Sequence, residues 1–370
     1  MAYDESVNSL NPDRHLLLMN TTAFRVRSLS AACVLLLAAA PAFALKYAAP
    51  EHNLKADPAL PVWKPGEVKV EPEEEFNLVG ADIMDEITLG WAKLMREAYP
   101  RLSVTMEARA SGSGVHALTA GIAHAAPVGR EALPAEHEAF VKKFGYEPFA
   151  IKVATGSLGS LGKTATSVIL VAKSNPIQGL TFQQLDQIYS KSHKRGGGDI
   201  TTWGQLGLTG EWAARPIHLY GLRPPNGIEQ FVKWQVLQWG EWREGIQNVK
   251  GQGFTHAFTV ASNDMKTQLG GLTYALLANL TPEVRVVPLA EKAGQSFVMP
   301  TIETVYNHTY PLSRYVYIFL NRPPGTKLEP KTKEFLKLVL SKQGQEVVAA
   351  ERVFMPLLPS VVKEELAKLE

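Results

Sequence analysis

Cysteine is almost absent from this chain: among 370 residues there is one, Cys33. A lone thiol excludes a disulfide framework, and a cysteine ahead of most of its apolar run is misplaced for lipid anchoring. Long hydrophobic runs are missing too. The stretch Ala31 to Ala40 is too short to cross a bilayer, and no later segment is apolar enough or long enough to do so. Charge of one sign is also scarce. Lysine and arginine number 38 against 36 acidic residues, a formal net charge of +2, which excludes the dense basic footprint of a nucleic-acid binder. Catalytic signatures are lacking: there is no G-x-S-x-G elbow, no H-E-x-x-H pair and no acidic metal cluster. An exported phosphatase or other hydrolase is the weaker alternative on that account, and no cofactor or metal is expected.

What is present begins with a leader. Arg25 and Arg27 precede the apolar run, and Ala42-Phe43-Ala44 has the small-x-small form of a signal-peptidase site, so cleavage is expected after Ala44. Initiation at Met19 would give a leader of more ordinary length. Residues 1–44 are thus read as a signal peptide, and the exported product, 45–370, would carry no cysteine. Residues 45–75 are an extended, proline-broken arm that ends in Glu73-Glu74-Glu75 and reads as surface.

From Phe76 onward strands and helices alternate. Asn77 to Gly80 reads as a short strand, followed by a helix capped at Asp82 with Ile83, Ile87, Leu94 and Ala98 on one face. The period-two pattern of Leu102, Val104, Met106 and Ala108 is a second strand. Ser167 to Ala172 reads as a buried strand, Thr181 and Gln184 open a helix as a capping pair, and the KSHKRGGGD stretch reads as an exposed, mobile loop. Further strands are expected at Ile217 to Tyr220, Val284 to Leu289 and Tyr315 to Leu320, with a helix over 330–350. Such alternation predicts an α/β chain with mostly parallel sheets.

The most suggestive segment is Ser111-Gly112-Ser113-Gly114, which joins the second strand to a helix start. Helix starts expose unpaired N–H groups and the positive end of the dipole, so an oxyanion is a natural guest. The competing reading is plain punctuation, with Ser113 as a cap and the glycines serving the turn. Asp82 follows one strand and Arg223-Pro224-Pro225-Asn226-Gly227 another in the same way. In α/β sheets ligands gather where such strand ends and helix starts converge. Trp234, Trp239 and Trp242 read as packing rather than as a sugar platform, and His116 and His124 lack a third ligand for a metal.

Taken in order, GADIMDEITLGWAKLMREAYP, ASGSGVHALTAG, LTFQQLDQIYS, TTWGQLGLTGEW and the carboxy-terminal YPLSRYVYIFLNRPPGTKLEPKTKEFLKLVLSKQGQEVVAAERVFMPL resemble the PstS-like phosphate-binding proteins of ABC phosphate transporters, over about Phe76 to Leu358. The resemblance implies a two-lobed type II periplasmic binding protein, each lobe a mostly parallel sheet flanked by helices, hinged by two crossover strands. One lobe would take residues 66–165 and 312–370, the other 166–311. It also implies a periplasmic monomer that traps phosphate or a related oxyanion and delivers it to an ABC permease, with no nucleic-acid partner. A sensor or interaction scaffold on the same fold is the alternative.

Carried over by position, the implied ligand-binding residues are Ile83 and Met84 through their N–H groups, Ser111, Gly112, Ser113, Gly114, Arg130, Arg223, Asn226 and Gly227. The chain departs from the family at several of them. Ile83 stands where a threonine is common, Gly129 where a serine precedes the arginine, and Asn226-Gly227-Ile228 where the family has Ser-Gly-Thr. No aspartate occurs in VGREAL, and Glu229 places a negative charge in the first turn after Asn226. Each lost hydroxyl removes a hydrogen bond to charge worth about 1.5 to 3 kcal/mol.

Overall fold

Val168, Ile169, Leu170 and Val171 form an unbroken apolar run, and the strand they build is buried along its whole length. The computed structural model describes residues 50–70, 74–222, 226–248 and 254–370. The leader and Arg223 fall outside these. After an extended segment, the first run of elements is β1 (Glu74–Ala81), a 3-10 turn (Asp82–Met84), α1 (Asp85–Ala98), β2 (Leu102–Arg109), α2 (Ser111–Ala120), β3 (Ala126–Val128), α3 (Pro134–Phe144) and β4 (Phe149–Thr155).

The next run is β5 (Ser167–Ala172), β6 (Leu180–Thr181), α4 (Phe182–Tyr189), β7 (His218–Gly221), α5 (Gly227–Gln235), β8 (Gln247–Asn248), α6 (Phe254–Asp264), β9 (Gly271–Leu276), β10 (Val284–Val286), β11 (Leu289–Ala290) and α7 (Ile302–Tyr306). The chain then returns through β12 (Tyr315–Leu320) and closes with α8 (Pro330–Val339), α9 (Lys342–Glu351) and α10 (Pro359–Ala367). Ser341 caps α9 through its hydroxyl, so the single helix expected over 330–350 is broken in two.

Two large apolar clusters organise these elements. One gathers Phe76, Trp91, Ile151, Val316, Phe335 and their neighbours, with α1, α8 and α9 packed around β1, β4 and β12. The other gathers β5, α4, β7, α5 and β9 around Tyr189, Trp203 and Tyr274. A smaller cluster, Val115, Leu118, Val128, Phe140 and Phe319, seats α2 and α3 on β3 and β12. The chain crosses from the first large cluster to the second between Thr155 and Ser167 and returns between Leu312 and Val316, while Met355 reaches back into the second.

Parallel and antiparallel pairings occur side by side, where mostly parallel ones were expected. β1 with β2, β7 with β8 and β9, and β6 with β11 pair in parallel. β12 pairs antiparallel with β3 and β4, and β5 antiparallel with β9 and β10. The antiparallel strands are those the chain enters as it passes from one core to the other, arriving from outside the strand–helix–strand units that enforce parallel order.

Three local expectations also change. β1 begins at Glu74, so the acidic end of the arm pairs with β2 instead of trailing in solvent. The arm itself is partly core, with His52, Ala56 and Leu60 buried. The KSHKRGGGD loop is exposed but pinned: Arg195 donates to the carbonyls of Val236 and Gln235, and Arg243 and His193 both reach Asp199. Among the described residues no helix is long and apolar enough to cross a membrane.

Candidate functional site

The structure brings four chain segments to one place. Ile83 lies in the 3-10 turn after β1, the SGSG residues begin α2, Gly129 and Arg130 follow β3, and Asn226 and Gly227 begin α5. A Cβ built on Gly112 would lie 3.6 Å from Arg130 Nη2. One on Gly227 would lie 3.2 Å from Arg130 Cδ and 3.8 Å from its Nε. Arg130 is therefore wedged between the starts of α2 and α5, with only 14% of its side chain exposed.

What holds Arg130 there was not expected from the sequence. Its Nη1 donates to Glu136 Oε2 at 2.8 Å and its Nη2 to Glu136 Oε1 at 2.7 Å, while Nη1 also donates to the Glu131 carbonyl at 2.9 Å. Glu136, in the first turn of α3, is buried and accepts a further bond from the Leu133 N–H. A guanidinium carries five N–H donors in a planar fork. Glu136 occupies the end-on edge. The side-on edge, Nε–H and the second Nη2 hydrogen, has no protein partner among the described residues; Gly112 lies nearest Nη2 and Gly227 nearest Cδ and Nε.

The SGSG residues are the first turn of α2 itself, not a turn ahead of it. Their donors divide. Ser113 donates both its N–H and its hydroxyl to the Ala110 carbonyl, at 2.9 and 2.7 Å, which spends it on the helix start. The N–H groups of Ser111 and Gly112 point out of that start, as the first amides of any α-helix do. Gly114 serves packing: a Cβ there would sit 2.8 Å from Val128 Cγ2 and 3.3 Å from the Val79 carbonyl oxygen, so only glycine lets α2 lie this close to β3.

The first turn offers less than expected. The Ile83 N–H is bonded to Asp82 Oδ1 at 3.0 Å, and Met84 is fully buried in the core. The Ile83 side chain has a different role, because a Cβ built on Gly129 would lie 2.2 Å from Ile83 Cδ1 and 3.1 Å from Thr164 Oγ1. The two positions are therefore coupled in space: Ile83 fills the space that a side chain at 129 would need.

At the third turn, Asn226 is a working cap, its Oδ1 accepting from Ile228 N at 3.1 Å and Glu229 N at 2.9 Å. Glu229 is fully buried and engages the indole N–H of Trp242 and the Gln230 amide. Burial pushes the Tyr274 hydroxyl well up, and the Glu229 charge adds to that. Glu229 is committed to the second core. Trp242 stacks on Tyr274 in the same region, whereas Trp234 and Trp239 are 40% and 44% exposed, which corrects the reading of all three as packing.

A second arginine ties this region to the crossover. Arg314 is buried, reaches Glu131 Oε2 at 2.6 Å and lies 4.3 Å over the Phe231 ring of α5. Glu131, Glu136 and Arg314 were all missed by sequence reasoning. The proline-led α3 start with Glu136 as its third residue marks a helix beginning, but nothing in it names Arg130 as partner.

A family model for the PBP superfamily domain matches residues 69–343. The phosphate-binding protein PstS of Pseudomonas aeruginosa is 35% identical over 314 residues, covering 85% of this chain and 91% of that protein. The PstS of Staphylococcus aureus is 22% identical over 291 residues, covering 78% of this chain and 80% of that protein. The crystal structure of PstS from Borrelia burgdorferi superposes with a TM-score of 0.50 at 16% identity, over 77% of this chain and 100% of that one, and so shares the fold. By domain match and by identity along most of its length, the chain belongs to the PstS-like family of phosphate-binding proteins, with the type II periplasmic binding protein fold.

Proposed function

We propose that this protein captures phosphate between two lobes and delivers it to an ABC transporter permease. The observation that carries the reading is Arg130, held end-on by Glu136 between the starts of α2 and α5, with no partner for its side-on edge among the described residues. An oxyanion on that edge would receive two charge-assisted bonds from Nε and Nη2, with the amides of Ser111 and Gly112 and the Ser111 hydroxyl on one side and α5 on the other. Arg223, which precedes α5 in the sequence and lies outside the described residues, would join. Asn226, Gly227 and Gly114 shape the site, and Ile83 closes its floor.

Binding, not catalysis, suits these groups. They are donors and positioners, and no nucleophile with an adjacent base stands among them. In this reading the lobes are residues 66–165 with 312–370, and 166–311, and the two crossovers are the hinge. Closure gains from the anion only insofar as the closed state binds it better. Export with cleavage after Ala44 would place the receptor in the periplasm as a monomer.

Calorimetric titration of ligand-stripped protein with phosphate, then sulfate, arsenate and molybdate, tests the proposal. Micromolar or tighter phosphate binding supports it. No heat with any of these anions sinks it.

A further inference from the structure

Beside the anion locus lies a cavity of about 510 Å³ that an inorganic anion would leave unused. Its walls are Leu133 and Pro134 at the start of α3, Phe231 and Trp234 on α5, and Trp239 just beyond α5. Pockets of about 300–1,000 Å³ with aromatic walls are sized for organic ligands, not for four oxygens around one centre. The polar groups on its rim have partners within the protein: Glu131 pairs with Arg314, and His137 contacts Glu147. The rest of the lining is mostly apolar and aromatic, without a further charge.

Two features connect the cavity to the anion. Gly227 lines it and is also the residue packed on the Arg130 stem, so no side chain at 227 separates the cavity from the arginine. Trp239 is presented at the rim by strained backbone: Gln238 and Trp239 have φ of +50° and +61°, consecutive left-handed residues that are not glycine. Such conformations are costly for L-residues and persist where the surroundings enforce them, often at ligand clamps. An indole held at that cost and left 44% exposed is poised for a partner.

We infer that the site accepts an organophosphorus anion, a phosphonate or phosphate monoester carrying a flat aromatic group. Its phosphoryl oxygens take the side-on edge of Arg130 and its ring lies between Trp234 and Trp239. This rests on the anion reading above and names a ligand class for the same site.

The test uses the full chain and four probes: inorganic phosphate, methylphosphonate, phenylphosphonate and phenyl phosphate, followed by calorimetry and tryptophan fluorescence. Phenylphosphonate should bind at least about 10-fold tighter than methylphosphonate and should change the indole emission. Trp234→Ala and Trp239→Gly should erase that ratio while inorganic phosphate affinity holds. Glycine at 239 also relieves the positive φ. Equal affinity for the methyl and phenyl phosphonates in the unmodified protein, with inorganic phosphate still bound, overturns the inference and spares the phosphate reading. Failure to bind any of the four overturns both. The unmodified protein alone decides the matter if either variant does not fold.

Discussion

Arg130 and Glu136 meet end to end, Nη1 2.8 Å from Oε2 and Nη2 2.7 Å from Oε1, and this leaves the guanidinium's side-on edge without a partner among the described residues, between two helix starts. A buried pair of this kind contributes little net stability, because desolvation offsets the Coulombic gain. Its value lies in orientation. Glu136 does for the arginine what a hinge pin does for a plate.

Replacing Arg130 with lysine separates the two roles. Lysine can still meet the Glu136 carboxylate but offers a point charge in place of a second edge. Phosphate affinity should fall about 10- to 100-fold in calorimetry, the loss of one or two charged hydrogen bonds, with the melting temperature within a few degrees of the parent. Arg130→Ala should instead strand a buried carboxylate and cost about 3–5 kcal/mol in a denaturant titration. Unchanged phosphate affinity in the lysine variant would exclude Arg130 as a ligand.

Ile83 and Gly129 should behave as one unit. Gly129→Ser alone drives its Cβ into Ile83 and should destabilise by about 1–3 kcal/mol. Combined with Ile83→Thr, most of that loss should be recovered, a coupling of at least about 1 kcal/mol in a double-mutant cycle read by chemical denaturation. Additive effects would show that the close contact does not constrain the pair.

Acid should weaken the fold through His308. Its Nε2 lies 2.9 Å from Thr155 Oγ1, its ring stacks on Tyr315 at 3.8 Å, and burial, helped by the Lys152 charge, pushes its pKa down to about 4. The folded state therefore binds this proton less readily than the unfolded chain, whose histidines titrate near about 6.5. Stability is complete above that value and is lost as the pH falls from there toward 4, by about 3 kcal/mol. His52, also lowered by burial, acts in the same direction. His308→Asn tolerates the φ of +57° and should flatten the pH dependence of the melting temperature over this window. An unchanged slope would assign the acid sensitivity elsewhere.

The amino-terminal segment straps the first crossover. Glu51 accepts from the N–H groups of Leu158 and Gly159 and from the Ser160 hydroxyl, each at 2.8 Å. Its neighbour His52 bonds the Phe354 carbonyl. Glu51→Ala should cost about 2 kcal/mol and speed amide exchange at Leu158 and Gly159. Exchange that stays as slow as in the parent would mean the loop holds itself.

Much of the fold can be read from the chain, for reasons that also mark where reading stops. Ser167–Ala172 and Tyr315–Leu320 are strands at the expected bounds because burial there is written as continuous apolar sequence. Thr181 with Gln184, and Asn226, cap as expected because capping is local chemistry. β1 was seen only in part, since Glu74 and Glu75 join it through backbone pairing that acidic side chains conceal. The convergence of helix starts was legible, while the contact between Arg130 and Glu136 that organises it was not. Arg130 and Glu136 are six residues apart across the irregular bend from β3 to α3, where neither the helical nor the strand repeat applies.

The most direct test is a crystal structure with bound arsenate, located by its anomalous signal. The predicted result is an anion within hydrogen-bonding distance of Arg130 Nε and Nη2, between the starts of α2 and α5, with Glu136 still on the opposite edge. An anion bound elsewhere, or one that displaces Glu136 from the arginine, would contradict it.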